Sequence, residues 1–336
     1  MVQVPVAFPP WNVDKREKAL MGRYAWGDVP AADAIVERVV AETGKEISAL
    51  GIPRLAGVVL GGGSGRGEGG VFLDDGDIRL ANDLDFYVVT EDGATPRDIE
   101  AIGGALEPVS RRWTETLGID VDFCTAKTPA RLRRDERRLM VQELLNGYFD
   151  VAGKKGEELF AHVRRLSPGD LPWTEAVRLL VNRGAGLLLA KERGDGLFSV
   201  RNINKCVLGA FDAKLISDGR YAWKAVDREK AANEELYSKA LMWKFRPSDE
   251  CVCSWEEARE VWLDAADAVV EAGRDGGLGG RTVRNAVRWL RRRGTVGRLS
   301  TLGFNPVVRM LEGFSCAIRS RGPFPPGLRR DWEVFG

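Results

Sequence analysis

The sequence predicts an α+β protein, with a domain of strands and helices at residues 1–128 and an all-helical domain at residues 129–336. An apolar, valine-containing run, RLAGVVLGG, leads as a strand into a glycine-rich stretch at residues 61–70. Acidic and apolar residues then alternate at residues 82–89, as in a strand whose side chains point to opposite faces in turn. In the second domain, apolar residues recur three and four positions apart, which is the helical spacing.

The overall composition is that of a globular protein. The 336 residues include 44% apolar residues, and 50 Lys and Arg residues balance 49 Asp and Glu residues. This balance alone predicts no polyanionic partner. The N-terminus lacks a basic stretch followed by an apolar one, and no apolar run approaches the roughly 18–20 residues of a membrane span. Five scattered cysteines fit reduced thiols, so we expect a cytoplasmic protein without a membrane segment.

Sites that need more than one histidine are excluded by the residue counts. His162 is the only histidine, so zinc proteases with two histidine ligands and other multi-histidine metal sites lack essential parts, and His162 itself, in a helical context, is expected on the surface or partly packed. Cys251 and Cys253 are one residue too close for a zinc knuckle and have no second pair.

The elements that follow the first strand can be placed in order. The stretch GGGSGRGEGG holds seven glycines in ten residues, and two short strands are predicted around a turn at residues 74–77. The next strand carries Asp83 and Asp85 on one face. A helix is predicted over residues 96–118, with Gly103-Gly104 and Pro108 as candidate breaks.

A third strand is predicted within residues 114–125, TETLGIDVDFCT. Asp120 and Asp122 alternate with apolar residues there, so both carboxylates share one face. We favour Asp122 as the functional residue, because it lies in the body of the strand, whereas Asp120 follows Gly118 near the strand start.

Other glycine-rich motifs fit the stretch poorly. Gly65, Gly67 and Gly70 match G-x-G-x-x-G, but a dinucleotide-binding loop should open a helix, and a hairpin follows here. The chain has neither the H-R-D segment of a kinase nor the G-K-[ST] of a P-loop. A flexible linker is disfavoured because apolar strands flank the stretch on both sides.

The stretch GGSGRGE at residues 62–68, followed by DLDF at residues 83–86, resembles the nucleotidyltransferase superfamily of DNA polymerase beta, especially its small bacterial and archaeal members. The resemblance covers residues 50–125. It implies a mixed sheet with helices, and a C-terminal helical domain that closes the cleft and holds the acceptor. The predicted hairpin makes the spacing between the two motifs longer than is usual in the family.

The resemblance implies a site for two Mg²⁺ ions and a nucleoside triphosphate (NTP). Asp83 and Asp85 would bridge the two ions, and Asp122, or else Asp120, would supply the third carboxylate. Mg²⁺ prefers a few carboxylates together with phosphate oxygens and water. Asp122 would complete the ion that binds the acceptor hydroxyl and act as its general base.

Further residues are predicted to bind the triphosphate. Gly62 and Gly63 would let backbone N–H groups approach the phosphates, and Ser64 would add a hydroxyl. Arg66 would either contact phosphate or brace the loop. Lys205, in the helical domain, would either reach the triphosphate or form a salt bridge between helices.

The implied reaction is transfer of a nucleoside monophosphate to a hydroxyl or phosphate of a small molecule, with release of pyrophosphate. RNA or tRNA, a protein or a second nucleotide are alternative acceptors, and a catalytically inert nucleotide-binding protein is a further alternative. Residues 281–321 hold ten arginines and one acid, which would suit a nucleic acid but also a solvated helix face or a grip on a phosphate-bearing acceptor.

Overall fold

The computed structural model describes residues 22–74, 77–194, 196–275 and 306–335. The elements up to residue 127 are α1 (Pro30–Leu50), β1 (Leu55–Leu60), α2 (Gly62–Gly65), β2 (Val71–Asp74), β3 (Asp77–Leu80), β4 (Leu84–Thr90), α3 (Pro96–Leu117) and β5 (Val121–Lys127). The later elements are α4 (Pro129–Arg134), α5 (Leu139–Leu145), β6 (Phe149–Gly153), α6 (Gly156–Leu159), α7 (Trp173–Arg193), α8 (Leu197–Ser217), α9 (Ala225–Ala232), α10 (Glu235–Phe245), α11 (Trp255–Asp275), α12 (Pro306–Ser320) and α13 (Pro326–Phe335).

The chain forms two compact units. Among the described residues, those up to Lys127 and those from Gly147 to Leu159 belong to the first unit. Residues from Thr128 to Asn146, and those from Phe160 onward, belong to the second. The first unit contains all six described strands, and the second consists of helices and their connections.

The first unit is built on a mixed four-stranded sheet in the order β5-β4-β1-β6. Strand β4 pairs parallel with β5 and antiparallel with β1, which in turn pairs antiparallel with β6. The predicted hairpin is present as the separate two-stranded sheet β2-β3. The predicted α+β class, with a mixed sheet and a helical C-terminal part, is therefore confirmed. Strand β6 was not predicted.

Helix α3 is continuous, so the candidate breaks at Gly103-Gly104 and Pro108 are wrong. It begins with a capping box, in which Thr95 and Asp98 accept hydrogen bonds from each other's backbone N–H groups. A proline inside a helix removes one backbone hydrogen bond and costs about 3 kcal/mol. Burial of an apolar stripe in the core of the first unit offsets this cost. The stripe consists of Ile102, Leu106, Val109 and Trp113.

One face of the sheet packs against α1 and α3 to form the core of the first unit. Val58, Leu60 and Phe86 supply this face from β1 and β4, and none of the three is exposed. The rings of Phe86 and Phe123 stack with their centroids 4.9 Å apart. Because strand side chains alternate, the residues between these core positions lie on the opposite face.

The second unit has its own core, centred on Trp262 of α11. The indole is fully buried, and its Nε1–H donates to the Leu180 carbonyl oxygen of α7 at 2.9 Å. A Cβ on Gly184 would lie 2.9 Å from the Trp262 ring, so the glycine makes room for the indole. Among the described residues, no helix is long and apolar enough to span a membrane.

We expect Phe86→Ala to lower the free energy of unfolding by about 3–5 kcal/mol, because it leaves a cavity and unstacks Phe123. Urea denaturation followed by circular dichroism measures the loss. Leu73→Ala is the control, since its side chain is 51% exposed and should change stability by less than about 0.5 kcal/mol. Equal effects of the two substitutions would contradict the assigned core.

Candidate active site

The sheet face opposite the core carries two carboxylates side by side. Asp85 of β4 and Asp122 of β5 are direct partners in the parallel pairing, so their side chains lie on the same face. Asp85 is half-buried and Asp122 is exposed. Paired positions on adjacent strands are about 4.8 Å apart, which is close enough for two carboxylates to act on one ligand.

The next pair along the strands is Tyr87 and Cys124, on the same face. Burial, together with the negative charges of Asp85 and Asp122, raises the pKa of the Cys124 thiol to about 12. Neither Tyr87 nor Cys124 was predicted as a site residue, although their two-residue spacing from the acids indicates the shared face.

Asp83 and Asp120 lie just before β4 and β5, respectively. Asp83 is half-buried and two positions before Asp85, so the alternation continued from β4 places it toward the same face. Asp120 is exposed, and its backbone carbonyl accepts a hydrogen bond from the Leu84 N–H at 3.0 Å. Of the two alternatives for the third carboxylate, Asp122 is the one that lies opposite Asp85 within the strand.

The glycine loop is attached directly to the start of β4. The Gly61 N–H donates to the Asp85 backbone carbonyl at 2.9 Å. Gly62 has φ +62°, and a Cβ there would lie 2.2 Å from Oδ2 of Asp85. Any side chain at this position would displace the carboxylate, so glycine brings the loop backbone against Asp85. The neighbouring Gly63 has more room, since its Cβ would come no closer than 3.4 Å to another atom.

Ser64 belongs to the short helix α2 and is 4% exposed. Its Oγ atom lies 3.0 Å from the position that a Cβ on Gly69 would take, so the hydroxyl faces the interior of the loop. Contact of the Ser64 hydroxyl with phosphate stays a prediction.

Arg66 pairs with Glu68 within the loop. The Arg66 Nε and Glu68 Oε2 atoms are 3.5 Å apart, and the side chains are only 12% and 6% exposed. The Cγ atom of Arg66 also lies 2.4 Å from where a Cβ on Gly147 would be. This geometry favours bracing of the loop, and contact of Arg66 with phosphate stays a prediction.

Lys205 lies on α8, in the second unit, and is half-buried. Asp212, two turns further along α8, accepts a hydrogen bond from the Tyr237 hydroxyl at 2.9 Å and lies 3.4 Å from Nε of Arg228. The Tyr221 hydroxyl likewise donates to Glu143, at 2.7 Å. The contact of Lys205 with a triphosphate stays a prediction.

The donor chemistry of the site fits Mg²⁺ bound together with a triphosphate. Across the described ranges, no group of three or more His, Cys, Asp and Glu side chains is arranged to hold a metal ion by itself. Mg²⁺, however, is commonly held by one or two carboxylates, with phosphate oxygens and water completing the octahedron. Asp85 and Asp122, with Asp83 beside them, offer that set of oxygen donors.

Most of the arginine-rich region, residues 281–305, lies outside the described residues. In its described part, Arg319 forms two 2.9 Å hydrogen bonds with the carboxylate of Asp267 on α11. This arginine therefore serves an ion pair at the surface of the second unit.

No protein-family model matches the sequence, and no curated protein matches it. Among solved structures, the chain is similar to the spectinomycin adenyltransferase AAD(9) of Enterococcus faecialis, solved with ATP and spectinomycin. The identity is 13%, the match covers 71% of this chain and 96% of that one, and the TM-score is 0.36. A likeness at this level does not define a family.

We expect Gly62→Ala to destabilise the protein more than Gly51→Ala does. Both glycines have positive φ, where alanine costs about 1–2 kcal/mol, but only Gly62 would also push a side chain into Asp85. Gly51 is the matched control because a Cβ there would meet no atom within 4 Å. Urea denaturation of both variants measures the difference. Equal losses would contradict the close approach of the loop to Asp85.

Proposed function

We propose that this protein is a Mg²⁺-dependent nucleotidyltransferase that transfers a nucleoside monophosphate from an NTP to a hydroxyl or phosphate of a small molecule. The observation that carries the proposal is the pairing of Asp85 with Asp122 across parallel strands, with the backbone of Gly62 against the Asp85 carboxylate. A side-chain-free loop beside two carboxylates suits a ligand that brings both phosphates and metal ions.

In this proposal the loop binds the phosphates and the carboxylates bind the metal. Backbone N–H groups at Gly62 and Gly63 bind the β- and γ-phosphates, since no side chain keeps the phosphates at a distance. Asp83, Asp85 and Asp122 hold Mg²⁺. When bound, the metal neutralises charge on the triphosphate and on the leaving pyrophosphate. The Arg66–Glu68 pair keeps the loop in shape.

The reaction then needs one proton acceptor. The acceptor oxygen attacks the α-phosphorus, a new P–O bond forms, and the bond between the α-phosphorus and the bridging oxygen breaks to release pyrophosphate. For a hydroxyl acceptor, Asp122 takes the proton, because it is the exposed member of the pair and can meet an incoming molecule. Asp85, half-buried against the loop, keeps its position as a ligand.

We expect the wild type to bind at least one NTP with Mg²⁺, and the Asp83→Asn/Asp85→Asn double variant to bind it at least about tenfold more weakly, a difference of ~1.4 kcal/mol. Amides replace charged oxygens, so the metal loses its ligands while the side-chain shape is kept. Calorimetric titration with each of the four NTPs measures this. Asp120→Asn is the control and should bind as the wild type does. Undiminished binding by the double variant would refute the assignment.

A small-molecule acceptor implies that nucleic acid binds weakly. We expect an RNA oligonucleotide to show weak binding by fluorescence anisotropy, with a shallow dependence on salt, because 50 basic residues are offset by 49 acidic ones. Tight binding that falls about 10³-fold or more between roughly 50 and 200 mM salt would instead favour a nucleic-acid acceptor.

A further inference from the structure

One carboxylate of α1 holds the chain segment that precedes the helix. Asp33 accepts hydrogen bonds from three consecutive backbone N–H groups: from Arg23 at 2.7 Å to Oδ2, and from Tyr24 and Ala25 at 2.8 and 2.9 Å to Oδ1. No side chain caps α1 at its N-cap residue, Val29. Hydrogen bonds to a charged acceptor are stronger than those between neutral groups, so three on one carboxylate hold this segment firmly.

The same segment is bonded to the glycine loop. The Gly69 N–H donates to the Tyr24 carbonyl at 3.0 Å, and the Trp26 N–H donates to the Gly69 carbonyl at 2.8 Å. A Cβ on Gly69 would lie 2.8 Å from the Tyr24 carbonyl oxygen. The segment and the loop therefore meet backbone to backbone, and the position of one sets the position of the other.

The loop is held on its other side by the residues that lead into β4. The Gly70 N–H donates to the side-chain oxygen of Asn82, and the Ala81 N–H donates to the Gly70 carbonyl at 2.9 Å. Asn82 directly precedes Asp83. Hydrogen bonds thus connect the segment held by Asp33 to the loop, and the loop to Asn82, the residue directly before Asp83.

We propose that Asp33 is a positioning residue for nucleotide binding: it fixes the segment at residues 23–26, which in turn holds the glycine loop in the form that receives the triphosphate. This inference rests on the proposed function. The effect of Asp33 on binding is indirect, through the three N–H groups that it accepts.

Three variants separate positioning from general stability. Asp33→Ala removes every acceptor, and Asp33→Asn replaces one carboxylate oxygen by an NH₂ group that cannot accept a hydrogen bond. Asp98→Ala is the matched control, because Asp98 also accepts from a backbone N–H, that of Thr95 at 2.7 Å, but caps α3 rather than the loop segment. Melting temperatures of all variants measure the loss of stability.

The experiment combines calorimetry with hydrogen–deuterium exchange on the full chain. We expect Asp33→Ala to bind the NTP that the wild type prefers about tenfold more weakly, Asp33→Asn to be intermediate, and Asp98→Ala to bind normally despite a lower melting temperature. Exchange at residues 60–70 should accelerate in the Asp33 variants and stay unchanged in Asp98→Ala. If Asp33→Ala does not fold, Asp33→Asn decides.

The possible failures point to different errors. Unchanged NTP affinity in the Asp33 variants overturns this proposal alone, and so does an equal loss of affinity in Asp98→Ala. If the wild type binds none of the four NTPs, the proposed function is refuted, and so is the positioning role of Asp33.

Discussion

Asp85 and Asp122 share a sheet face only because β4 and β5 pair in one particular parallel register. A slip of one residue would turn Asp122 toward the core and bring Val121 or Phe123 to the polar face. The packing of Phe86 on Phe123 resists such a slip, because the two rings stack at 4.9 Å on the core side. The packing of the hydrophobic face therefore fixes the strand register, and the register fixes the relative positions of the two carboxylates on the polar face.

The loop is rich in glycine because neighbouring atoms leave no space for side chains, rather than because the backbone must be flexible. A Cβ would meet Asp85 at Gly62 and the Tyr24 carbonyl at Gly69. At Gly65 a Cβ would lie 2.8 Å from the Gly147 carbonyl oxygen. Backbone is thus packed against backbone on several sides of the loop. The conformational entropy of such a loop is lost when the protein folds, so a ligand binds to a surface that is already ordered.

Local patterns predicted much of the first unit, and long-range contacts account for what was missed. Alternation predicted the strand with Asp83 and Asp85, and turn residues predicted the β2–β3 hairpin. Alternation alone placed Asp120 and Asp122 on one face, and the preference for Asp122 came from its distance from Gly118, whereas the pairing with Asp85 depends on the partner strand β4. Pro108 suggested a break in α3 that packing overrides. Strand β6 and the segment beside Gly69 were missed because their partners lie far away along the chain.

Strand β6 also determines when the sheet of the first unit can be completed during synthesis. It pairs with β1, yet the ribosome makes it after α4 and α5, which belong to the second unit. The nascent first unit must wait for residue 153 with one edge of β1 unpaired, and an unpaired edge is open to pairing with other chains. A truncation after Lys127 would leave that edge permanently bare. The first unit is therefore not one continuous stretch of chain, because the polypeptide leaves it after Lys127 and returns to it at Gly147.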